Sequence, residues 1–273
     1  NNIGWLSDLP KDVLSKIKLI TGDIRDQTRV KEAVDGVTYV FHLASLIGIP
    51  YSYVAYKSYY QTNVLGTLNI LEACKSNKSV ERIIHTSTSE VYGSAKYVPI
   101  NEEHPISAQS PYAATKIGAD QLALSYNKSF QLPITILRPF NTYGPRQSTR
   151  AVIPTIITQI ASGERNIKLG LLSPTRDFNY VKDTCSAFMA LAKSEACIGK
   201  VVNSSSNFEV SIEETAYIIS EIMQQKIEII SEERRVRPAK SEVNRLFGDN
   251  TLLKKLTDWN PQYSGIDGFK KGI

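Results

Sequence analysis

Few cysteines, few histidines and no long apolar run narrow the reading before any motif is considered. The three cysteines, Cys74, Cys185 and Cys197, form no CxxC spacing and are odd in number. A disulfide framework is therefore not expected, and a reducing compartment, the cytoplasm, is. The three histidines, His42, His85 and His104, are scattered with no metal-ligand spacing, so no metal site is expected. No stretch of about 18 apolar residues occurs, which argues against a membrane span. Long Lys/Arg runs are also absent. The densest basic cluster is Arg234, Arg235, Arg237 and Lys240, and the formal net charge is only +5. Nucleic acid is not the expected partner; an anionic small molecule suits this charge as well. One further absence bears on fold. No GxxGxxG or GxGxxG turn is present to cradle a pyrophosphate.

What the sequence does contain is alternation. Ile17–Thr21, Val37–Leu43, Arg82–Thr86 and Ile134–Arg138 read as short apolar strands. Thr28–Val34, Tyr59–Cys74 and Pro111–Phe130 read as helices between them. Near-continuous apolar strands separated by amphipathic helices predict a parallel sheet covered on both faces. Such sheets bind ligands beyond the carboxyl ends of their strands. The expected fold is thus α/β, a Rossmann-type doubly wound parallel sheet in residues 1–150. The pattern loosens after Asn141. Strands at Ile167–Leu169, Val201–Asn203 and Ile227–Ile230 mix with helices near Val152–Ala161, Val181–Lys193 and Ile212–Gln224, and Phe269–Ile273 reads as the start of a helix. Residues 151–273 are read as a smaller mixed α/β substrate lobe, with part returning to the main sheet.

The sharpest chemical signal is Tyr112-Ala-Ala-Thr-Lys116. Ser110 can cap that helix and Pro111 suits its first turn. Tyr112 and Lys116 then lie one turn apart on one face. A tyrosine is a poor base at neutral pH, and a neighbouring ammonium stabilises its phenolate. Tyr112 could thereby take a proton from a sugar hydroxyl while hydride leaves the carbon. A YxxxK pair alone is common on helix surfaces. Its context is narrower. Thr86-Ser87-Thr88-Ser89-Glu90-Val91-Tyr92-Gly93 follows one strand, and Arg138-Pro139-Phe140-Asn141-Thr142-Tyr143-Gly144-Pro145-Arg146 ends another. As isolated segments these could be ordinary polar turns and caps.

Together with Gly22-Asp23-Ile24, His42-Leu43-Ala44, Asn63-Val64-Leu65-Gly66-Thr67, Arg176-Asp177-Phe178-Asn179-Tyr180-Val181 and Arg237-Pro238, these segments resemble the extended short-chain dehydrogenase/reductase family, the NAD-dependent epimerases and dehydratases. The likeness runs over nearly the whole chain. Ile49-Pro50-Tyr51-Ser52-Tyr53 and Ala151-Val152-Ile153-Pro154-Thr155-Ile156-Ile157 carry a narrower resemblance to 4,6-dehydratases acting on nucleotide-linked N-acetylglucosamine in legionaminic-acid-type pathways. The resemblance implies that an N-terminal strand-helix unit bearing the Gly-rich turn, roughly forty-odd residues, is missing from this chain.

It also implies roles. Asp23 and Ile24 would meet the adenine of NAD. Leu43, Ala44 and Ser45 would line the cofactor trough, with Asn63, Thr86, Ser87 and Pro139 also on the cofactor side. Tyr112 and Lys116 would reach the nicotinamide ribose. Thr88 would hydrogen-bond the sugar hydroxyl being oxidised, and Glu90 would take the C5 proton, with Ser89 between them. Asn141, Arg176 and Arg237 would hold the diphosphate, guanidinium forks being suited to phosphate oxygens. Arg150, Val152 and Lys168 complete the expected substrate side.

The implied reaction is NAD-dependent 4,6-dehydration of a UDP- or GDP-linked N-acetylhexosamine. C4 is oxidised, water is lost across C5–C6, and hydride returns to C6. Hexose 4,6-dehydratases carry Thr-Asp-Glu where this chain has Thr88-Ser89-Glu90. UDP-glucuronate decarboxylases share Thr-Ser-Glu, so a 4-epimerase or a decarboxylase remains the alternative. A non-catalytic dinucleotide-binding relative is disfavoured, because Tyr112 and Lys116 are both present. A homodimer built on the Tyr59–Cys74 and Pro111–Phe130 helices is expected, with Leu122, Leu124 and Tyr126 widening the apolar face of the second.

Overall fold

A computed structural model describes residues 3–232 and 241–273. After a short turn at Gly4–Asp8 come α1 (Lys11–Leu14), α2 (Gln27–Val34), β1 (Tyr39–His42), α3 (Ile49–Ser52) and α4 (Tyr56–Tyr59). A π-helical stretch, Tyr60–Leu65, leads into α5 (Gly66–Ser76). β2 (Arg82–Thr86), a 3-10 turn (Ser89–Tyr92), α6 (Pro111–Phe130) and β3 (Ile134–Pro139) follow. The second half holds β4 (Asn141–Tyr143), α7 (Val152–Ala161), β5 (Asn166–Leu169), β6 (Thr175–Tyr180), α8 (Val181–Lys193) and β7 (Val201–Ser204). It ends with β8 (Glu209–Ser211), α9 (Ile212–Ile222), β9 (Glu228–Ser231), β10 (Arg245–Leu246), α10 (Thr251–Leu256) and α11 (Gly265–Gly272).

The main sheet is parallel in the order β1-β2-β3-β7. Alternation along its central strands covers both faces. Ile83, Ile134 and Ile136 pack with α2, α5 and α6 through Val30, Leu71 and Ala123. Ile84, Leu137 and Val202 point the other way, onto Ala187 and Leu191 of α8 and Leu253 of α10. Each such side chain, once buried, contributes roughly 1.5–3 kcal/mol. This is the expected Rossmann-type arrangement, and β7 is the part of the second half that returns to it.

β3 runs almost directly into β4, which leaves the main sheet. A second sheet has the order β10-β6-β4, with β8 antiparallel to β6. A two-stranded parallel sheet, β5 with β9, stands beside it. Tyr143, Phe178, Tyr180 and Phe269 form the aromatic core of this lobe.

Two expectations need correction. Ile17–Thr21 forms no strand. A strand needs a hydrogen-bonding neighbour, and among the described residues β1 pairs with β2 alone. The Tyr59–Cys74 helix is not one α-helix, since its first turns widen to π geometry around Asn63. Four strands escaped the periodicity: β4, β6, β8 and β10. β6 is buried along nearly its whole length, and β4, β8 and β10 are only two or three residues long, so no alternation can develop in them.

Local chemistry fixes the helix that matters most. Ser110 Oγ accepts from Ala113 N at 3.1 Å, Pro111 opens the first turn, and Gln131 closes the helix in the left-handed region at φ 57°. An N-cap of this kind is worth about 1 kcal/mol. It sets the start of α6, and therefore which face carries Tyr112.

Candidate active site

Tyr112 and Lys116 lie on the buried face of α6, against the carboxyl end of β2. The Tyr112 hydroxyl is hydrogen-bonded to the Thr88 side chain. Burial pushes its phenol above the ordinary tyrosine range; the Thr88 bond opposes that shift and the charge of Glu90 adds to it. Tyr59 stands edge-on to its ring at 6.3 Å. Lys116 Nζ donates to the Thr86 carbonyl at 2.6 Å. Burial lowers this ammonium to about 8, with Asp120 pulling it back up. The phenol and the ammonium thus shift in opposite directions, both because water is excluded.

The Thr-Ser-Thr-Ser-Glu segment leads from the end of β2 into the 3-10 turn. Thr88 caps the 3-10 turn by accepting from Glu90 N at 3.2 Å. Ser89 and Glu90 are buried in that turn. Ser87 Oγ donates to Asp120 Oδ2 at 2.8 Å. The Thr86 hydroxyl oxygen is buried and has no protein partner, as is Asn141 Oδ1 at the start of β4. Two orphaned polar atoms at adjacent strand ends are where ligand hydrogen bonds would be expected.

Of the residues expected on the cofactor side, Ser45 and Asn63 are directly joined. Asn63 is the organiser: its Oδ1 accepts from Ser45 Oγ at 2.9 Å and Leu46 N at 2.8 Å. Its Nδ2 donates to Leu46 O and to Thr115 Oγ1, each at 3.0 Å. The loop after β1 is thereby tied to α6, which leaves Leu43 and Ala44 facing solvent just ahead of it. Asp23 is exposed and chelated by Arg25, with Oδ1 2.9 Å from Nε, and this pairing lowers its carboxyl to about 2. Asp23, Arg25, Gln61 and Leu65 line an open depression of about 430 Å³. Ile24 packs onto Gly66 at the start of α5. Pro139 ends β3 opposite Ser204.

The substrate-side residues divide. Arg176 is buried, and its guanidinium is engaged by protein: Nη1 donates to Thr175 O and Val243 O, both at 2.8 Å, and Nη2 to Glu242 at 3.1 Å. It anchors the chain immediately after residues 233–240. Arg237 itself lies outside the described residues. Arg150 is exposed beyond β4, Val152 is half-buried at the start of α7, and Lys168 is exposed on β5.

Sequence reasoning missed a buried charge network directly beneath the site. Asp120 pairs with Arg138 at 3.0 Å and 3.2 Å, and Arg138 donates to Tyr92 at 3.1 Å. The Tyr92 hydroxyl donates to Asn203 at 2.8 Å. Against burial, His85 and Arg138 hold the Asp120 carboxyl low. Burial holds the His85 imidazole low, against the opposing pull of Asp120, whose Oδ1 lies 3.3 Å from its Nε2. One signal was available: Asp120 continues the four-residue spacing from Tyr112 through Lys116. Among the described residues no group of three or more His, Cys, Asp or Glu is arranged to hold a metal ion. No helix among them is long and apolar enough to cross a membrane.

The chain is similar to known proteins over nearly all its length. A family model described as GDP-mannose 4,6 dehydratase matches residues 1–271. A low-salt glycan biosynthesis protein of Haloferax volcanii is 33% identical over 256 residues, covering 93% of this chain and 80% of that protein. A dTDP-D-glucose 4,6-dehydratase of Dictyostelium discoideum is 33% identical over 223 residues, 77% of this chain, and the chain spans only 50% of its length. The solved UDP-N-acetylglucosamine 4-epimerase of Methanobrevibacter ruminantium, in complex with UDP-N-acetylmuramic acid, superposes with a TM-score of 0.87 at 29% identity. That match covers 99% of this chain and 85% of the epimerase. Several other similar solved structures are complexes with NAD.

Proposed function

The chain belongs to the NAD-dependent epimerase/dehydratase family, and on that premise we propose that it is a 4,6-dehydratase of a UDP- or GDP-linked N-acetylhexosamine. At the coarser level it is an NAD-dependent nucleotide-sugar enzyme, a dehydratase or epimerase. One observation supports the dehydratase reading above the others: Glu90 is buried close enough to Tyr112 to perturb its phenol. A 4-epimerase needs one proton-transfer group at C4. A dehydratase needs a second at C5, and Glu90 is the carboxylate beside the first.

The residues present fit NAD, given the orphaned Thr86 hydroxyl, the exposed Leu43 and Ala44 after β1 and the depression at Asp23. When bound, NAD would supply the hydride acceptor for C4 oxidation and the hydride donor for C6. Tyr112 and Lys116 would hold the nicotinamide ribose. Tyr112 would accept the C4 hydroxyl proton in its phenolate form, with Thr88 positioning that hydroxyl. The C4 carbonyl so formed acidifies the C5 proton. Glu90 would remove that proton and pass it to the C6 hydroxyl, which leaves as water, and C5 would take a new proton from solvent by way of Glu90 as hydride returns to C6. Ser89 is too weak an acid to protonate the leaving group unaided. Asn141, together with Arg150, Val152 and Lys168, would contact the nucleotide sugar. Arg237 would meet its diphosphate, and Arg176 would act there through the Glu242–Val243 segment it anchors.

The alternative is a 4-epimerase or a UDP-glucuronate decarboxylase: the Thr88-Ser89-Glu90 triplet does not separate dehydratase from decarboxylase, and the chain is similar to a UDP-N-acetylglucosamine 4-epimerase. The legionaminic-type pathway is the narrowest part of the reading and rests on the Ile49–Tyr53 and Ala151–Ile157 segments alone. We place the protein in the cytoplasm on its three unpaired cysteines. Pairing through α5 and α6 would make a homodimer. Leu122, Leu124 and Tyr126 remain half-buried on α6, although they already pack toward the chain's own core.

Reaction in deuterated water separates these chemistries. The dehydratase places deuterium at C5 of a 4-keto-6-deoxy product, and Glu90→Gln stops elimination while still allowing bound NAD to be reduced once. A C4-inverted sugar with its C6 hydroxyl intact refutes dehydration in favour of the epimerase. Carbon dioxide released from a glucuronate donor favours the decarboxylase.

A further inference from the structure

α6 presents three buried polar residues at four-residue intervals: Tyr112, Lys116 and Asp120. Each grips one residue of a single tripeptide at the end of β2. Tyr112 bonds the Thr88 side chain, Lys116 the Thr86 carbonyl at 2.6 Å, and Asp120 the Ser87 hydroxyl at 2.8 Å. The middle grip differs from its flanks. Asp120 is completely buried beneath the site, and Arg138 holds its carboxylate through two nitrogens from β3. The Ser87 backbone N–H is meanwhile tied to Leu137 O at 2.7 Å. Ser87 is therefore fixed from both β3 and α6, and its neighbours cannot shift along the helix without breaking one of these bonds.

Charge follows the same geometry. The groups around Lys116 are Tyr112 and Asp120 on α6, His42 on β1, His85 on β2, Arg138 on β3, Tyr59 on α4 and Glu90 in the turn after β2. Burial lowers both imidazoles. Of this set, Asp120 is the carboxylate that acts on Lys116, favouring its charged form.

We propose that Asp120 is a positioning residue of this site: through Ser87 it sets the register of the tripeptide that holds Tyr112 and Lys116, and one helical turn along the same buried face it supplies the carboxylate nearest in sequence to Lys116. The proposal rests on the family reading for the roles of Tyr112 and Lys116, and on the geometry above for its own.

The test uses Asp120→Asn, Ser87→Ala and Ser87→Thr in the purified chain, with two readouts. The first is titration of Lys116 by lysine-selective NMR, which requires no turnover. Asp120→Asn should lower that titration by about one pH unit, whereas Ser87→Ala should leave it in place. The second is the split of kcat and KM. Ser87→Ala retains the Asp120–Arg138 pair and should fold, so it stands in if Asp120→Asn does not. It should lower kcat about tenfold to a hundredfold with KM for the nucleotide sugar little changed, and Ser87→Thr should recover most of that loss. An unmoved Lys116 titration in folded Asp120→Asn, or wild-type kcat in Ser87→Ala, overturns the proposal. Absence of wild-type turnover on every nucleotide sugar would instead count against the proposed function, and the NMR titration would still decide the role of Asp120.

Discussion

Replacing Lys116 by Met should stabilise the protein at neutral pH while removing its activity. Lys116 is buried to within 3% of full enclosure, and its ammonium is lowered from 10.5 to about 8. A depressed lysine binds its proton less well in the folded than in the unfolded chain, so below pH 8 the fold carries a penalty. At about 1.4 kcal/mol per unit, a shift of roughly 2.5 units costs about 3 kcal/mol at pH 7. As pH rises from 8 toward 10.5 the unfolded lysine also loses its proton and the penalty shrinks, to about 1 kcal/mol at pH 10. Methionine escapes this penalty but leaves the Thr86 carbonyl without its donor, a loss of roughly 1–3 kcal/mol. Lys116→Met should therefore unfold about 0–2 kcal/mol later than wild type at pH 7. By pH 10 that advantage should have fallen by about 2 kcal/mol, so that the variant is the less stable protein. Urea melts of both proteins at pH 7, 8.5 and 10 provide the comparison, alongside turnover at pH 7. A stability difference that does not change between pH 7 and 10 would refute the buried-ammonium argument. Wild-type turnover in the variant would refute the catalytic role of Lys116.

Tyr112→Phe should abolish nearly all turnover with little loss of nucleotide-sugar affinity, because the ring still packs on Tyr59 and only the proton acceptor is gone; near-normal turnover would remove Tyr112 from the mechanism. Arg176→Ala should lower stability by roughly 3–5 kcal/mol at most, since Glu242 loses a buried partner. It should also weaken nucleotide-sugar binding about ten- to a hundredfold with much less effect on NAD. Calorimetric titration of both ligands reads this directly, and equal losses would place Arg176 in the general stability of the lobe alone.

How much was legible in advance varies by residue. The strands at 82–86 and 134–138 alternate so that Ile83 and Ile84 serve opposite faces, and that two-sided burial is written locally as a continuous apolar run. The Ser110-Pro111 start of α6 is a short-range signal, which is why the placement of Tyr112 and Lys116 on one buried face could be read from spacing. Ile17–Thr21 has the same apolar character as these strands yet forms none, because a strand exists only with a neighbour and no residue within the segment supplies one.

The sequence by itself therefore determined what depends on residues a few positions apart: the α/β alternation, the cap of α6, the YxxxK face and the motif-level family likeness. Tertiary structure alone decided which groups share the low-dielectric space beneath that face. Ser87 meets Asp120 across 33 positions, Arg138 reaches Tyr92 across 46, and Arg176 turns to Glu242 across 66. Contacts of that range leave no periodicity in the chain. They also decide the charges, because the opposite shifts of Tyr112 and Lys116 come first from burial, which exists only once the sheet, α6 and the 3-10 turn have closed over them.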